Sequence, residues 1–144
     1  MQSPELVELY FRGCYKRGAL VRFEMPCDDP NRMNRNKFGV VLNMDLADAD
    51  VLLAISTTNQ KFLSTRFISD DTIRLSGGEY VCFPEDTIIS LREIKIFPLA
   101  WMKGLCREKK LTFEGYMSSA DMTDIDQKLV DSLLIEGSTL KRII

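Results

Sequence analysis

The chain has 144 residues, 45% of them hydrophobic and 28% charged, which fits one globular domain and excludes a disordered chain. Its net charge of −2 is unlike that of proteins that read duplex DNA, and its apolar runs are too short to span a membrane. The sequence contains no histidine, which excludes His-based acid–base catalysis and His-ligated metal sites.

The start of the chain predicts a helix over residues 4–12. Ser3 suits the N-cap and Pro4 the first turn, and apolar residues then recur at helical spacing. Gly13 is predicted to end this helix, because glycine is common just beyond a helix C-terminus.

The middle of the chain predicts short strands separated by turns. Gly77-Gly78 is interpreted as a hairpin turn between two of them, residues 57–71 receive no assignment, and 101–110 is predicted as a short helix or a turn. The predicted strands are 19–25, 38–44, 51–56, 72–75, 80–83, 87–91 and 112–117, the last as an edge strand. Residues 94–97 either continue the strand 87–91 or follow it as a strand of their own.

The end of the chain predicts a second clear helix, over 123–136. Thr123 suits its N-cap, Ile125 and Leu129 belong to an apolar face at helical spacing, and Gly137 suits its end. Short strands at intervals of about ten residues favour a small antiparallel barrel, with helices at both ends. We therefore expect one domain over 1–144, mainly β with flanking helices.

The cysteines and the acidic residues indicate no metal site. Cys14, Cys27, Cys82 and Cys106 show no C-x-x-C spacing and are predicted to be reduced, as in a cytoplasmic protein. The aspartates at 45–50 and 70–71 lack calcium-loop spacing and are predicted to form turns. The first ten residues lack the basic start of a signal peptide. A cytoplasmic protein with neither metal nor cofactor is expected.

A polar loop over 27–36 is the most informative segment, because long loops inside compact domains are often functional. Its cations suit phosphate groups and its asparagines suit bases or sugars, as in proteins that bind single-stranded nucleic acid. An ordinary solvated loop is the alternative. The residues concerned, with the lysine that follows, are Arg32, Asn34, Arg35, Asn36 and Lys37.

Hydroxyl residues stand at the end of the predicted strand 51–56. Ser56, Thr57 and Thr58 could hold a phosphate oxygen or stabilise charge that develops in a transition state. The alternative is that these hydroxyls bond to nearby backbone, as serine and threonine commonly do at strand ends.

The order of these segments resembles the PemK/MazF group of toxins over residues 18–136. The motifs that carry the resemblance are Lys37-Phe-Gly-Val-Val-Leu-Asn43, then Val51-Leu-Leu-Ala-Ile-Ser-Thr57. A third is Phe83-Pro-Glu-Asp-Thr-Ile-Ile-Ser-Leu-Arg-Glu-Ile-Lys-Ile-Phe97, similar to the family's strand that precedes a final helix. The helix at 4–12 lies outside the resemblance.

The resemblance implies an SH3-like barrel that forms a homodimer and binds an antitoxin protein. It also implies metal-independent endoribonuclease activity on single-stranded RNA, in which the 2′-hydroxyl attacks the adjacent phosphate. Lys37 stands where the family usually has a catalytic arginine, Ser56 or Thr57 at its hydroxyl position, and Arg35 could supply an arginine fork. Arg32, Asn34, Asn36 and Thr58 are the expected RNA-binding residues.

One departure from the family pattern keeps a second interpretation open. The usual basic residue followed by proline is replaced here by Lys37-Phe38, and lysine lacks the bidentate geometry of arginine. The same barrel could then be a non-catalytic module that binds RNA or a protein partner.

Overall fold

The structure, a computed structural model, describes residues 3–25, 35–43, 50–57 and 72–131. Within these ranges it forms a mainly β fold with flanking helices, as predicted. The elements in chain order are α1 (Pro4–Cys14), β1 (Ala19–Met25), β2 (Arg35–Val41), β3 (Asp50–Thr57), β4 (Thr72–Leu75), β5 (Thr87–Pro98), α2 (Leu99–Arg107), β6 (Leu111–Tyr116) and α3 (Ser119–Asp131).

The described strands form one antiparallel sheet in the order β4-β5-β3-β2-β1-β6. The two end strands, β4 and β6, do not pair with each other, so these strands do not form the closed barrel that the sequence predicts. Helix α1 contacts the last strand instead, where the N–H of Phe113 donates to the Tyr10 hydroxyl at 3.1 Å. A capped edge N–H of this kind limits further strand pairing.

Each face of the sheet has its own hydrophobic core. One face packs on α1 and α2 through Val7, Phe11 and Met102, and we call it the α1 face. The other packs on α3 through Ile125 and Leu129, which are fully buried as predicted, and we call it the α3 face. Helices therefore cover the sheet on both sides.

The sheet curls so that its α1 face is concave. Phe23 of β1 and Phe97 of β5 both belong to this face, and β2 and β3 lie between their strands. On a flat sheet three strand spacings would hold them about 14 Å apart. Their ring centroids are 5.7 Å apart, in edge-to-face contact. The curvature therefore brings residues from distant strands onto one aromatic surface.

Helix α1 begins as predicted but does not end at Gly13. The Ser3 hydroxyl accepts a hydrogen bond from the N–H of Leu6 at 3.3 Å, which caps the helix. The helix continues through Gly13 to Cys14, and the Tyr15 N–H closes it on the Phe11 carbonyl at 2.7 Å. The prediction for Gly13 is wrong because a buried aromatic residue closes this helix without a left-handed glycine.

Strand β2 begins and ends three residues before its predicted bounds of 38–44. Arg35 and Asn36 pair with Met25 and Glu24 of β1, so they extend the strand and are not part of a loop. At the other end Asn43 is buried and leaves the strand pattern. Strand pairing thus overrides the polar composition of the first residues of β2.

The Asn43 side chain links the chain just after β2 to the start of β3. Its Oδ1 accepts from the Leu52 N–H at 3.0 Å and from the Tyr15 hydroxyl at 3.1 Å, and its Nδ2 donates to the Asp50 carbonyl at 2.8 Å. The side chain is 1% exposed, and its bonds to Leu52 and Tyr15 lie away from water.

We expect Asn43→Ala to lower the free energy of unfolding by about 1–3 kcal/mol, because it removes the acceptor of the buried Leu52 N–H. Urea unfolding measures this loss. The exposed Asn36, on the same strand, is the control, and Asn36→Ala should change the stability by less than about 0.5 kcal/mol. Equal losses in the two variants would contradict the structural role of Asn43.

The predicted hairpin of 72–75 with 80–83 is wrong. Strand β4 pairs with β5, with Ile73 opposite Ile89, and 80–83 contributes a single bridge between Tyr80 and Phe83. The segment folds back on itself because the Gly78 N–H donates to the Phe83 carbonyl at 2.9 Å. Phe83 then packs into the α3 face.

Strand β5 runs through both 87–91 and 94–97, which is the continuous one of the two alternatives that the sequence leaves open. Ala54 of β3 lies opposite Ile94, and Ser56, two residues later, lies opposite Ile89. Several residues of β5 therefore have no partner on β3 and form a bulge. A bulge of this kind bends the strand and increases the local twist. The bulge in β5 therefore contributes to the curvature of the sheet. Strand β6, at 111–116, is the edge strand that the sequence predicts at 112–117.

Helix α2 settles the ambiguous segment 101–110 as a helix, and it ends without glycine. The Lys109 N–H donates to the Cys106 carbonyl at 3.0 Å, and the Lys110 N–H to the Leu105 carbonyl at 2.8 Å. These are the two bonds of a Schellman motif, and they place Lys109 in the left-handed region with φ 62°. A side chain other than glycine costs about 1 kcal/mol there.

Helix α3 begins four residues before the predicted start at Thr123. The Ser118 hydroxyl accepts from the Asp121 N–H at 3.2 Å and caps the helix, whereas Thr123 lies inside it and donates to the Ser119 carbonyl. The helix is described to Asp131, so its predicted end at 132–136 and Gly137 lie outside the described residues.

Candidate nucleic-acid interface

Strand pairing sets the positions of the predicted RNA-contacting residues. Lys37 is the third residue of β2, its Cα opposite that of Phe23, and Asn36 beside it is exposed. Arg35 opens the strand, opposite Met25. Arg32, Asn34 and Thr58 lie outside the described residues. Three of the predicted residues, Arg35, Asn36 and Lys37, are therefore the first three residues of β2.

Lys37 lies on the concave α1 face of the sheet. Directly opposite residues on antiparallel strands share a face, and Phe23, its partner, belongs to the α1 core. Lys37 is half-buried, and within the described part of the chain no carboxylate pairs with it. An unpaired ammonium group on a concave surface is available to an anionic ligand.

An aromatic row continues from Phe23 across this face. Phe97 contacts Phe23 edge to face, and Trp101 of α2 stacks on Phe97 with ring centroids 5.0 Å apart and planes 28° from parallel. Phe97 and Trp101 are half-buried. In the sequence Trp101 stands near several cations, but nothing in the sequence links it to Phe23. The alternation along β1 is a signal for Phe23 alone: it places Phe23 on the same face as Val21, the α1 face.

The Ser56 hydroxyl has a backbone partner. Its Oγ donates to the Phe38 carbonyl at 3.2 Å and ties β3 to β2 beside Lys37. Ile55 packs on the α1 core, so strand alternation places Ser56 on the opposite face, away from that of Lys37. Lys37 and Ser56 are thus close in the backbone but face different sides of the sheet. Thr57 follows, its Cα opposite that of Ile88.

Phe38, the residue after Lys37, contributes to the core. Phe38 is half-buried on the α3 face, and its ring meets that of Phe83 edge to face at 5.5 Å. Phe38 therefore packs on one face of the sheet, while Lys37 lies on the other.

The described residues present no group of three metal-ligating side chains in one place. In the same residues no helix is both long and apolar enough to cross a bilayer. Neither protein-family models nor curated proteins give a match to the chain. The case for a function therefore depends on the geometry of β1, β2 and β3 and on the short motifs that resemble the toxin family.

Proposed function

We propose that the protein is an endoribonuclease of the PemK/MazF toxin type, which cuts single-stranded RNA without a metal ion. The observation that carries this proposal is the half-buried Lys37 on the concave face, which no carboxylate of the described residues pairs with. The sequence resemblance gives this position the role of the family's catalytic cation. An acidic protein that exposes a cation in a curved aromatic surface concentrates phosphate locally despite its net charge.

The chemistry follows from that position. The RNA 2′-hydroxyl attacks the adjacent phosphorus and the 5′-oxygen leaves, so the products carry a 2′,3′-cyclic phosphate and a 5′-hydroxyl. Lys37 stabilises the negative charge that grows on the phosphate oxygens, an effect that is largest in a partly desolvated site. Arg35 contributes the planar, bidentate contact that lysine lacks.

We assign the hydroxyl role to Thr57. Ser56, the other candidate, already donates its proton to the Phe38 carbonyl and lies on the opposite face of the sheet from Lys37. Thr57 is the next residue of β3. A hydroxyl that binds a phosphate oxygen must have its proton free for that bond.

The family's fold and partners are part of the proposal. A sheet that curls until β1 and β5 side chains touch approaches an SH3-like barrel, although the described strands do not close it. The expected partners are single-stranded RNA, an antitoxin protein and a second copy of the chain.

The test is cleavage of a long, mixed-sequence, end-labelled RNA in low salt with EDTA. We expect discrete cuts with cyclic phosphate ends, and none from the variant Arg35→Ala/Lys37→Ala. Cleavage that EDTA abolishes, or cuts that persist in the double variant, would contradict the proposed mechanism. A random-sequence RNA library covers the case of a narrow cleavage sequence, so intact RNA across that library would also count against it.

The runner-up is a non-catalytic module that binds RNA or a protein. Two observations favour it: lysine in place of arginine, and a Ser56 hydroxyl that is committed to the backbone. RNA binding that falls steeply with salt, without cleavage of the library, would support the RNA-binding form. No binding even in low salt would leave the protein-binding form.

The variants Ser56→Ala and Thr57→Val separate the two hydroxyl residues. We expect Thr57→Val to lower cleavage at least about tenfold, as loss of a transition-state hydrogen bond does, and Ser56→Ala to change it less than about threefold. Initial cleavage rates on one RNA substrate measure both. A larger loss in Ser56→Ala would reverse the assignment, provided that circular dichroism shows both variants folded.

A further inference from the structure

A cleft of about 460 Å³ opens between α1, the end of α2 and the start of β6, and it contains none of the predicted RNA-binding residues. Its volume lies within the range of pockets that hold small organic ligands. Cys106 and Leu111 form a buried floor, and Leu6 on the rim is 57% exposed. The lining residues are Leu6, Tyr10, Cys106, Lys109, Leu111 and Thr112.

The one cation among these lining residues occupies a strained backbone position. Lys109 has φ 62° in the Schellman motif that ends α2, where glycine is the usual residue. Glycine would close the helix equally well and without strain. What lysine adds over glycine is a charged side chain in the cleft. No carboxylate pairs with Lys109 in the described ranges, whereas the adjacent Lys110 lies 3.6 Å from Glu108.

The Tyr10 hydroxyl is a second polar group of the cleft. It accepts the Phe113 N–H at 3.1 Å, and among the described residues no acceptor takes its own proton. Burial raises the pKa of Tyr10, so the hydroxyl stays protonated at neutral pH. Thr112 is engaged, because its hydroxyl donates to Glu114 at 2.6 Å. The cleft thus combines one positive charge, one free O–H donor and an apolar floor.

We propose that this cleft binds a small amphipathic monoanion, a carboxylate with an apolar tail. The carboxylate lies between the Lys109 ammonium and the Tyr10 hydroxyl, and the tail runs over Leu6, Cys106 and Leu111. A neutral apolar molecule would leave the cation unused, and a polyanion such as RNA would find one lining cation and an apolar floor. The site is therefore separate from the one proposed for RNA.

The probe for this site is decanoate, below its micelle concentration, measured by isothermal titration against the full chain. We expect Lys109→Gly to weaken binding at least about tenfold while it raises the melting temperature, because glycine relieves the backbone strain. A loss of binding in a more stable protein cannot result from unfolding. Lys110→Gly, one residue further on, removes the same charge and should stay within about twofold of the parent.

The tail contact has its own matched pair of variants. Leu6 lines the cleft and Leu9, 63% exposed one turn further on, does not, so Leu6→Ser should weaken decanoate binding and Leu9→Ser should not. Decanol has the tail without the charge, and acetate has the charge without the tail. Both should bind more weakly than decanoate. Equal affinity for decanol and decanoate, no effect of Lys109→Gly, or no binding of decanoate would each overturn the proposal.

Discussion

Replacing Lys37 by methionine is expected to lower kcat/KM for RNA cleavage by about a hundredfold to a thousandfold, the usual loss when one group that stabilises transition-state charge is removed. Methionine keeps the unbranched, apolar stem of lysine, so the packing around this position of the β1–β2 pair should change little. The fold should be unchanged, and initial rates on a single RNA substrate measure the effect.

Two further variants show whether the loss belongs to this ammonium group. Arg22→Met removes a cation from the same hairpin, at the position opposite Phe38, and Arg22 lies 3.4 Å from Glu114. Its cleavage should stay within about threefold of the parent. Lys37→Arg restores the family's residue and should keep or raise activity. If both methionine variants lose activity equally, net charge and not Lys37 would be the cause.

The sequence predicts those elements whose signals are local. Ser3 and Pro4 identify the start of α1, the bounds of β1 agree with the structure, and the burial of Ile125 and Leu129 follows from helical spacing. In each case the residues that decide the element lie within a few positions of one another. Capping and amphipathic periodicity act over that range.

The predictions are wrong where contacts with residues distant in sequence determine the secondary structure. Arg35 and Asn36 have the composition of a loop, but pairing with β1 makes them a strand. The segment at 80–83 has the composition of a strand, but Phe83 turns it into the α3 core. Neither of these outcomes depends on local propensity.

The candidate site shows the same division. Lys37 and the hydroxyl residues at 56–57 can be singled out in the sequence, and they lie on the neighbouring strands β2 and β3. The contact of Phe23 with Phe97 depends on the curvature of the whole sheet, to which the bulge in β5 contributes. A strand bulge has no sequence signature in this chain. The aromatic surface beside Lys37 was therefore not predictable.

Truncation of the aromatic residue opposite Lys37 is expected to have the largest effect on stability. Phe23 is fully buried, its Cα lies opposite that of Lys37, and its ring contacts Phe97 of β5, three strands away. Phe23→Ala should lower the free energy of unfolding by about 3–5 kcal/mol, since it loses the buried ring and leaves a cavity. That is a large part of the stability of a typical domain, and urea unfolding measures it.

The variant Phe23→Leu separates the support of the site from the stability of the fold. Leucine fills most of the space and loses the edge-to-face contact with Phe97, so we expect a stability loss of about 1–2 kcal/mol. If the ring holds the curved surface on which Lys37 works, cleavage by the folded variant should fall several-fold more than in Phe97→Leu. Phe97→Leu loses the same ring contact from a half-buried position on β5, with no pairing to Lys37. Equal cleavage by the two folded variants would show that Phe23 supports the fold alone.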